Sequence, residues 1–329
     1  MHDIATALQN TALPRLNAQR LLLHALGRAP DDRAWLLAHD RDLLERAAWQ
    51  RFQDLCGRHT AGEPMGYLLG YQDFYSLKLA VDARVLVPRP DTETLVDWAL
   101  ELLTNIATPQ VIDLGTGSGA IALAIASQRP DAQVTGVDAS ADALDVAREN
   151  AQALGLGVVF RLGNWLGDGS ADGPDFAVDE DSGQASPHPS PLPKREGASQ
   201  ELPESNLSAN FSLFPCSERA AVRATTPTYH LIAANPPYIA PADPHLTALT
   251  HEPAQALVAA DNGLADLQTI ATQAPARLLP GSWLLLEHGY DQAAAVQELM
   301  VCSGLVNITT RHDLQGNARV TGGQRPVAR

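Results

Sequence analysis

The run Asn235-Pro236-Pro237-Tyr238 follows the apolar stretch Leu231-Ile232-Ala233-Ala234. A strand ending this way presents an amide side chain and two proline-fixed carbonyls at the carboxyl edge of a sheet, where open α/β sheets bind ligands. The prolines donate nothing to a ladder and hold the residues before them extended. The carbonyls of Asn235 and Pro236 each precede a residue without an N–H, so their local hydrogen bonding is thinned. Together with the Asn235 side-chain oxygen they form acceptors suited to a planar NH2 group. Such a cluster can hold a weakly nucleophilic nitrogen and draw its lone pair out of conjugation. Taken alone, the run also reads as a proline-rich turn after a strand.

A second constellation narrows this. Val111-Ile112-Asp113-Leu114 leads into Gly115-Thr116-Gly117-Ser118-Gly119 and then Ala120 to Ala126. This is a buried strand, a glycine turn and an Ala-rich helix. Glycines at alternate positions let the backbone pass close under a ligand, because a Cβ there would collide with it. About twenty residues on, Val134-Thr135-Gly136-Val137 ends in Asp138, an acid placed to take ribose hydroxyls. On these residues alone NAD remains open. Asp113, one step before the turn, is less usual for NAD and suits a ligand with a cationic amino group. Joined to the Asn-Pro-Pro-Tyr run on a later strand, the pattern reads as an S-adenosylmethionine-dependent methyltransferase.

The sequence resembles the HemK/PrmC methyltransferases in these two motifs and in several further runs. These are Gly62-Glu63-Pro64 with Tyr67 to Gly70, Phe74 to Leu77, Val87-Pro88-Arg89-Pro90-Asp91-Thr92-Glu93, Glu252-Pro253 with Ala256-Leu257, Leu284 to Gly289, and Arg319-Val320. The likeness spans nearly the whole chain outside roughly 168–228. It implies methylation of the glutamine side-chain nitrogen in the Gly-Gly-Gln loop of class I peptide chain release factors. It also implies that Asn235, Pro236, Pro237 and Tyr238 hold that glutamine, and that Trp165 with Asp113, Gly115, Thr116, Gly117, Ser118, Gly119, Asp138 and Asn235 serves the cofactor. A sister family acting on a ribosomal-protein glutamine shares Asn-Pro-Pro-Tyr but differs at the Pro88 to Glu93 run. Adenine-N6 nucleic-acid methyltransferases share the motif and general fold. A release-factor-binding protein without turnover is the rival of another class.

Composition bears on partners. The formal net charge is -15 over 329 residues, whereas gripping bare nucleic acid calls for a basic face. An acidic methyltransferase suits a protein substrate with basic surface, and direct nucleic-acid contact is not expected. Cys56, Cys216 and Cys302 have no paired spacing for metal or disulfide, which points to a reducing, cytoplasmic setting. No metal site, membrane span or signal core is expected, and a monomer is.

The elements that must position these residues fall into three parts. Residues 1–72 read as a small helical substrate-docking domain, the docking role being implied by the resemblance. Its helices run over Leu16–Leu26, after an Asp31 or Asp32 cap through Trp35, Leu36 and Leu37, and over Asp42–His59 with a core stripe of Leu43, Leu44, Ala47, Phe52 and Leu55. Residues 73–90 read as a linking β-hairpin, Phe74 to Val87, turning at Asp82-Ala83-Arg84. Residues 91–329 read as the catalytic domain, opening with a helix capped by Asp91 or Thr92. Strands near 110–114, 133–138, 158–162, 230–234 and 282–287 alternate with helices near 119–128, 140–153, 264–278 and 290–302. An antiparallel pair at 307–310 and 318–321 closes the sheet. The expected fold is therefore α/β, a Rossmann-like class I methyltransferase sheet with the helical domain and hairpin in front. Residues 170–226, rich in Pro, Ser and charge, read as a disordered insertion, in which Phe211, Leu213 and Phe214 could form a partner-binding motif. His230 stands where the family usually has an acid, and Gly322-Gly323-Gln324 repeats the substrate tripeptide by chance.

Overall fold

A computed structural model describes residues 2–167 and 228–327; the expected insertion and its aromatic motif lie outside them. Residues 2–70 form short helices: α1 (Ile4–Gln9), α2 (Arg15–Ala25), α3 (Arg33–Ala38), α4 (Arg46–Thr60) and α5 (Met65–Leu69). Asp32 caps α3 by accepting from the Trp35 N–H at 3.2 Å, as its short acceptor side chain suits. Leu21, Leu22, Leu23, Leu36, Phe52 and Leu55 make the core between them. The stripe differs from expectation at two positions. Leu43 is exposed and Ala47 faces water while Ala48 is buried. The reason is that Leu43 bridges to Asp3 in extended form, which delays the helix to Arg46 and rotates its apolar face.

The hairpin also differs. Its strands are β1 (Tyr71–Phe74) and β2 (Leu77–Ala80), paired from Tyr71↔Ala80 to Phe74↔Leu77. The turn is Tyr75-Ser76, both with positive φ (47° and 64°), which matches the twist of a two-residue hairpin. Asp82 instead accepts from the Arg84 N–H and guanidinium, at 2.9 and 2.7 Å, making a local turn rather than a strand connection. Buried Asn150 ties the hairpin down, accepting from the Ala80 N–H at 2.7 Å and donating to the Ser118 carbonyl at 2.9 Å.

The remaining strands form one seven-stranded sheet. They are β3 (Gln110–Leu114), β4 (Gln133–Asp138), β5 (Val158–Leu162), β6 (Tyr229–Ala234), β7 (Leu278–Glu287), β8 (Val306–His312) and β9 (Ala318–Gln324), in the order β5-β4-β3-β6-β7-β9-β8. Among the described strands of this sheet, β9 alone runs opposite to the rest, antiparallel to both β7 and β8. Helices α6 (Glu93–Leu103), α7 (Ala120–Gln128), α8 (Ala141–Leu154), α9 (Ala265–Arg277) and α10 (Ala293–Cys302) complete the layers. Alternate residues of the central strands feed two cores on opposite faces. Val111, Leu231 and Leu285 pack with α6 and α7, while Ile112, Ile232 and Leu284 pack with α9 and α10. This is the α/β architecture expected from alternating strands and helices. The order reverses between β3 and β6, so the crevice beyond their carboxyl ends is the site this topology prepares.

Gly322 and Gly323 lie inside β9. A Cβ on Gly322 would stand 2.5 Å from the Trp98 ring, so close packing over the strand requires glycine there. His230 accepts from the Gln110 N–H at 3.0 Å, joining the starts of β3 and β6.

Candidate active site

The glycine turn is held from below. Asp113 is fully buried; its Oδ2 accepts from the Thr116 hydroxyl at 2.6 Å and the Ala122 N–H at 3.3 Å. Its Oδ1 has no hydrogen-bond partner among the described residues. Burial raises its pKa from 3.8 to about 7, against the lowering effect of those hydrogen bonds. The N–H groups of Gly115 and Thr116 donate to the Val137 carbonyl, which locks the turn to β4. Gly117 and Gly119 take positive φ, a conformation open to glycine at little cost.

Asp138, at the end of β4, accepts from the Gly117 N–H at 2.8 Å and the Ser140 N–H at 2.9 Å. Burial, its largest influence, raises its pKa. Each carboxylate oxygen still has a lone pair to offer. Trp165 follows β5, with φ 52°, and its indole N–H donates to Asp266 at 3.2 Å. A Cβ on Gly115 would meet the indole at 3.2 Å, so the turn is glycine where the ring comes closest.

These groups share a pocket of about 250 Å3. Gly115, Gly117, Asp138, Trp165, Asn235 and Pro237 line it, together with Val85, Leu86, Pro253 and Ala256. Asp113, beneath the turn, and Thr116, Ser118 and Gly119, within it, are not on the pocket wall, and Pro236 and Tyr238 lie outside the lining. Tyr238 is pinned through its carbonyl, which accepts from Gln292 at 3.0 Å; burial pushes its phenol up to about 12.

Several contributors were not legible as site residues. Buried Glu252 joins the two loop walls: it accepts from the Val87 N–H at 3.1 Å and pairs with Arg89. Thr92 does not cap α6 with its side chain. It turns to the site instead, where the Asn235 amide donates to its hydroxyl at 3.2 Å. Glu287 ends β7 beside Asn235, since the parallel register pairs Ala234 with Leu286. It is 1% exposed. Burial raises its pKa from 4.5 to about 7, partly offset by Thr92, Arg319 and Asn235. A carboxylate closing an otherwise apolar central strand was the signal that could have found it.

The residues present fit S-adenosylmethionine: a glycine floor that a Cβ would fill, a flat ring, and carboxylates at and beneath the pocket. Sheet order, glycine turn and pocket define a class I S-adenosylmethionine-dependent methyltransferase. A methyltransferase domain matches residues 107–189 and a PrmC N-terminal domain matches residues 1–70. The chain is 42% identical over 317 residues to the release factor glutamine methyltransferase of Xylella fastidiosa (strain Temecula1), covering 95% of this chain and 94% of that one. It is 41% identical over 318 residues to the Bordetella pertussis protein of that name, covering 96% and 97%. To the Vibrio cholerae protein of that name it is 40% identical over 319 residues, covering 96% and 91%. The chain belongs to the release factor glutamine methyltransferase family. No described helix is long and apolar enough to cross a membrane.

Proposed function

We propose that this protein methylates the side-chain nitrogen of the Gly-Gly-Gln glutamine of class I release factors, in the cytoplasm. The observation that carries the reading is Asn235, set on the pocket wall at the crevice between β3 and β6. S-adenosylmethionine supplies, when bound, a sulfonium methyl that is already electrophilic.

The protein's own task is the amide, whose nitrogen shares its lone pair with its carbonyl. Asn235 Oδ1 and the Pro236 carbonyl accept the two amide hydrogens. That turns the nitrogen lone pair toward the methyl and stabilises positive charge as it develops. Tyr238 shapes the approach of the glutamine. The nitrogen gives its proton to water late, because it becomes strongly acidic as it gains a fourth bond, so no strong base is needed.

Asp138 takes the ribose hydroxyls and Trp165 the adenine face. Gly115 and Gly117 allow the backbone to come near, while Thr116, Ser118 and Gly119 shape the turn. Asp113 places negative charge beneath it, toward the ligand's amino group. Residues 1–72 serve as the docking domain for the release factor, 73–90 as the linker and 91–329 as the catalytic domain.

The test is transfer of labelled methyl to purified, unmodified release factor, with the position found by peptide mass spectrometry. Methyl on the Gly-Gly-Gln glutamine, lost in Asn235→Ala, supports the reading. Methyl elsewhere, or no transfer by a protein that binds cofactor, overturns it.

A further inference from the structure

We infer that Thr92 and Glu287 are positioning residues that fix which end of the Asn235 amide faces the substrate. The inference rests on the substrate-holding role proposed above for Asn235. An Asn side chain can rotate to present either its oxygen or its NH2 group, and only the oxygen can accept from a glutamine amide. Something in the structure must choose.

The choice follows from donor and acceptor chemistry. Glu287 ends β7 next to Asn235 in the parallel register. It is buried, and its Oε2 makes no hydrogen bond among the described residues. Thr92 and Glu287 both stand next to Asn235, and an ionised carboxylate can only accept, so its charge favours the Thr92 rotamer whose hydrogen points its way. The Thr92 oxygen then offers a lone pair to Asn235, and the Asn235 Nδ2 fills it at 3.2 Å. With Nδ2 held by Thr92 and facing the Glu287 charge, Oδ1 points the other way. A flipped amide would set its oxygen against Thr92 and the carboxylate, leaving buried acceptors facing each other. Thr92 is itself only 4% exposed, so water does not readily replace it.

The charge on Glu287 is what orders this chain. The groups facing it are Asp91 and Thr92 before α6, Arg319 on β9, and Asn235 and Tyr238 after β6. Protonated Glu287 can also donate, which frees the Thr92 hydroxyl to turn. Turnover in the wild type therefore falls as pH drops through about 7, the pKa to which burial raises this acid.

The test compares Thr92→Val, which keeps shape and loses the hydroxyl, with Thr92→Ser, which keeps it, and with Glu287→Gln, which keeps an acceptor and loses the titration. Thr92→Val should lower kcat by about tenfold with cofactor Kd within about twofold. Thr92→Ser should restore most of kcat. Glu287→Gln, neutral and able to donate as protonated Glu287 is, should have at pH 8 the lowered kcat that the wild type reaches in acid, with no acidic limb in its kcat profile; wild-type kcat in this variant at pH 8 overturns the role of the charge. Separately, the Asn235 Nδ2 protons in 15N-labelled protein should exchange slowly with solvent and lose that protection in Thr92→Val. Unchanged exchange in Thr92→Val overturns the inference, as does equal loss of kcat and cofactor binding. Wild-type protein that methylates no release factor while retaining protected Nδ2 protons overturns the functional reading and leaves the orientation supported.

Discussion

Replacing Trp165 with alanine should weaken S-adenosylmethionine binding by roughly 5- to 150-fold. The indole lines the pocket, and its nearest approach is to Gly115, where a Cβ would lie 3.2 Å from the ring. A nucleobase stacked on an aromatic side chain gains about 1–3 kcal/mol. At about 1.4 kcal/mol per factor of ten, that gives the stated range. The fold should survive, because Trp165 sits at a strand end and is only partly buried against its core. Its φ of 52° is kept by alanine as much as by tryptophan, so no backbone relief masks the effect. Trp165→Phe separates the contributions: it keeps a flat face but loses the N–H that donates to Asp266 at 3.2 Å. Titration calorimetry with S-adenosylmethionine should rank the wild type first, Trp165→Phe second and Trp165→Ala last. If Trp165→Ala binds within twofold of wild type, the ring only closes the end of β5 and the adenine lies elsewhere.

Other substitutions test the rest of the site. Asn235→Ala should lower kcat by about 100-fold, the scale of losing one preorganised group at a developing charge, while cofactor Kd measured by calorimetry changes little. Asp113→Asn should raise the melting temperature at pH 8 and weaken cofactor binding. The sign follows from linkage: an acid raised from 3.8 to about 7 on folding favours the native state below pH 4, and that contribution is lost as pH rises to 7. Melting curves of this variant across pH 4 to 8 should therefore fall less steeply than those of the wild type. Glu252→Ala strips a partner from Arg89 and from the Val87 N–H, at a cost of about 1–3 kcal/mol; thermal unfolding should shift down by several degrees. Gly322→Ala drives a Cβ to 2.5 Å from Trp98 and should destabilise by about 1–3 kcal/mol in urea titrations. Gln324 beside it is engaged with Gly281 and Asn307, so mass spectrometry of the purified protein should find it unmethylated.

Much was legible in the chain order of residues because it is local. Alternating apolar strands and helices, the glycines of the turn, and prolines after β6 act through neighbours a few positions away. Their geometry follows from sterics and missing N–H groups. That was enough to place Asp138, Trp165 and Asn235 at strand ends, and strand ends of a parallel sheet share one edge. Local reading failed where a distant partner outweighed propensity. Leu43 left its helix to pair with Asp3, and the hairpin turned at Tyr75-Ser76, where β1 and β2 could pair through Leu79 into the core.

The sequence by itself determined the chemistry available: an amide acceptor, a ring, carboxylates and a glycine-floored turn, each fixed by residue type and short spacing. Tertiary structure alone decided which groups meet. Thr92 looks like a helix cap and Glu287 like the end of a strand, 195 positions apart in the chain. Only the β6–β7 register and the packing of α6 against the sheet bring both to Asn235. The reason is that amide orientation depends on a buried charge, and burial is a property of the whole packed sheet rather than of any stretch of chain.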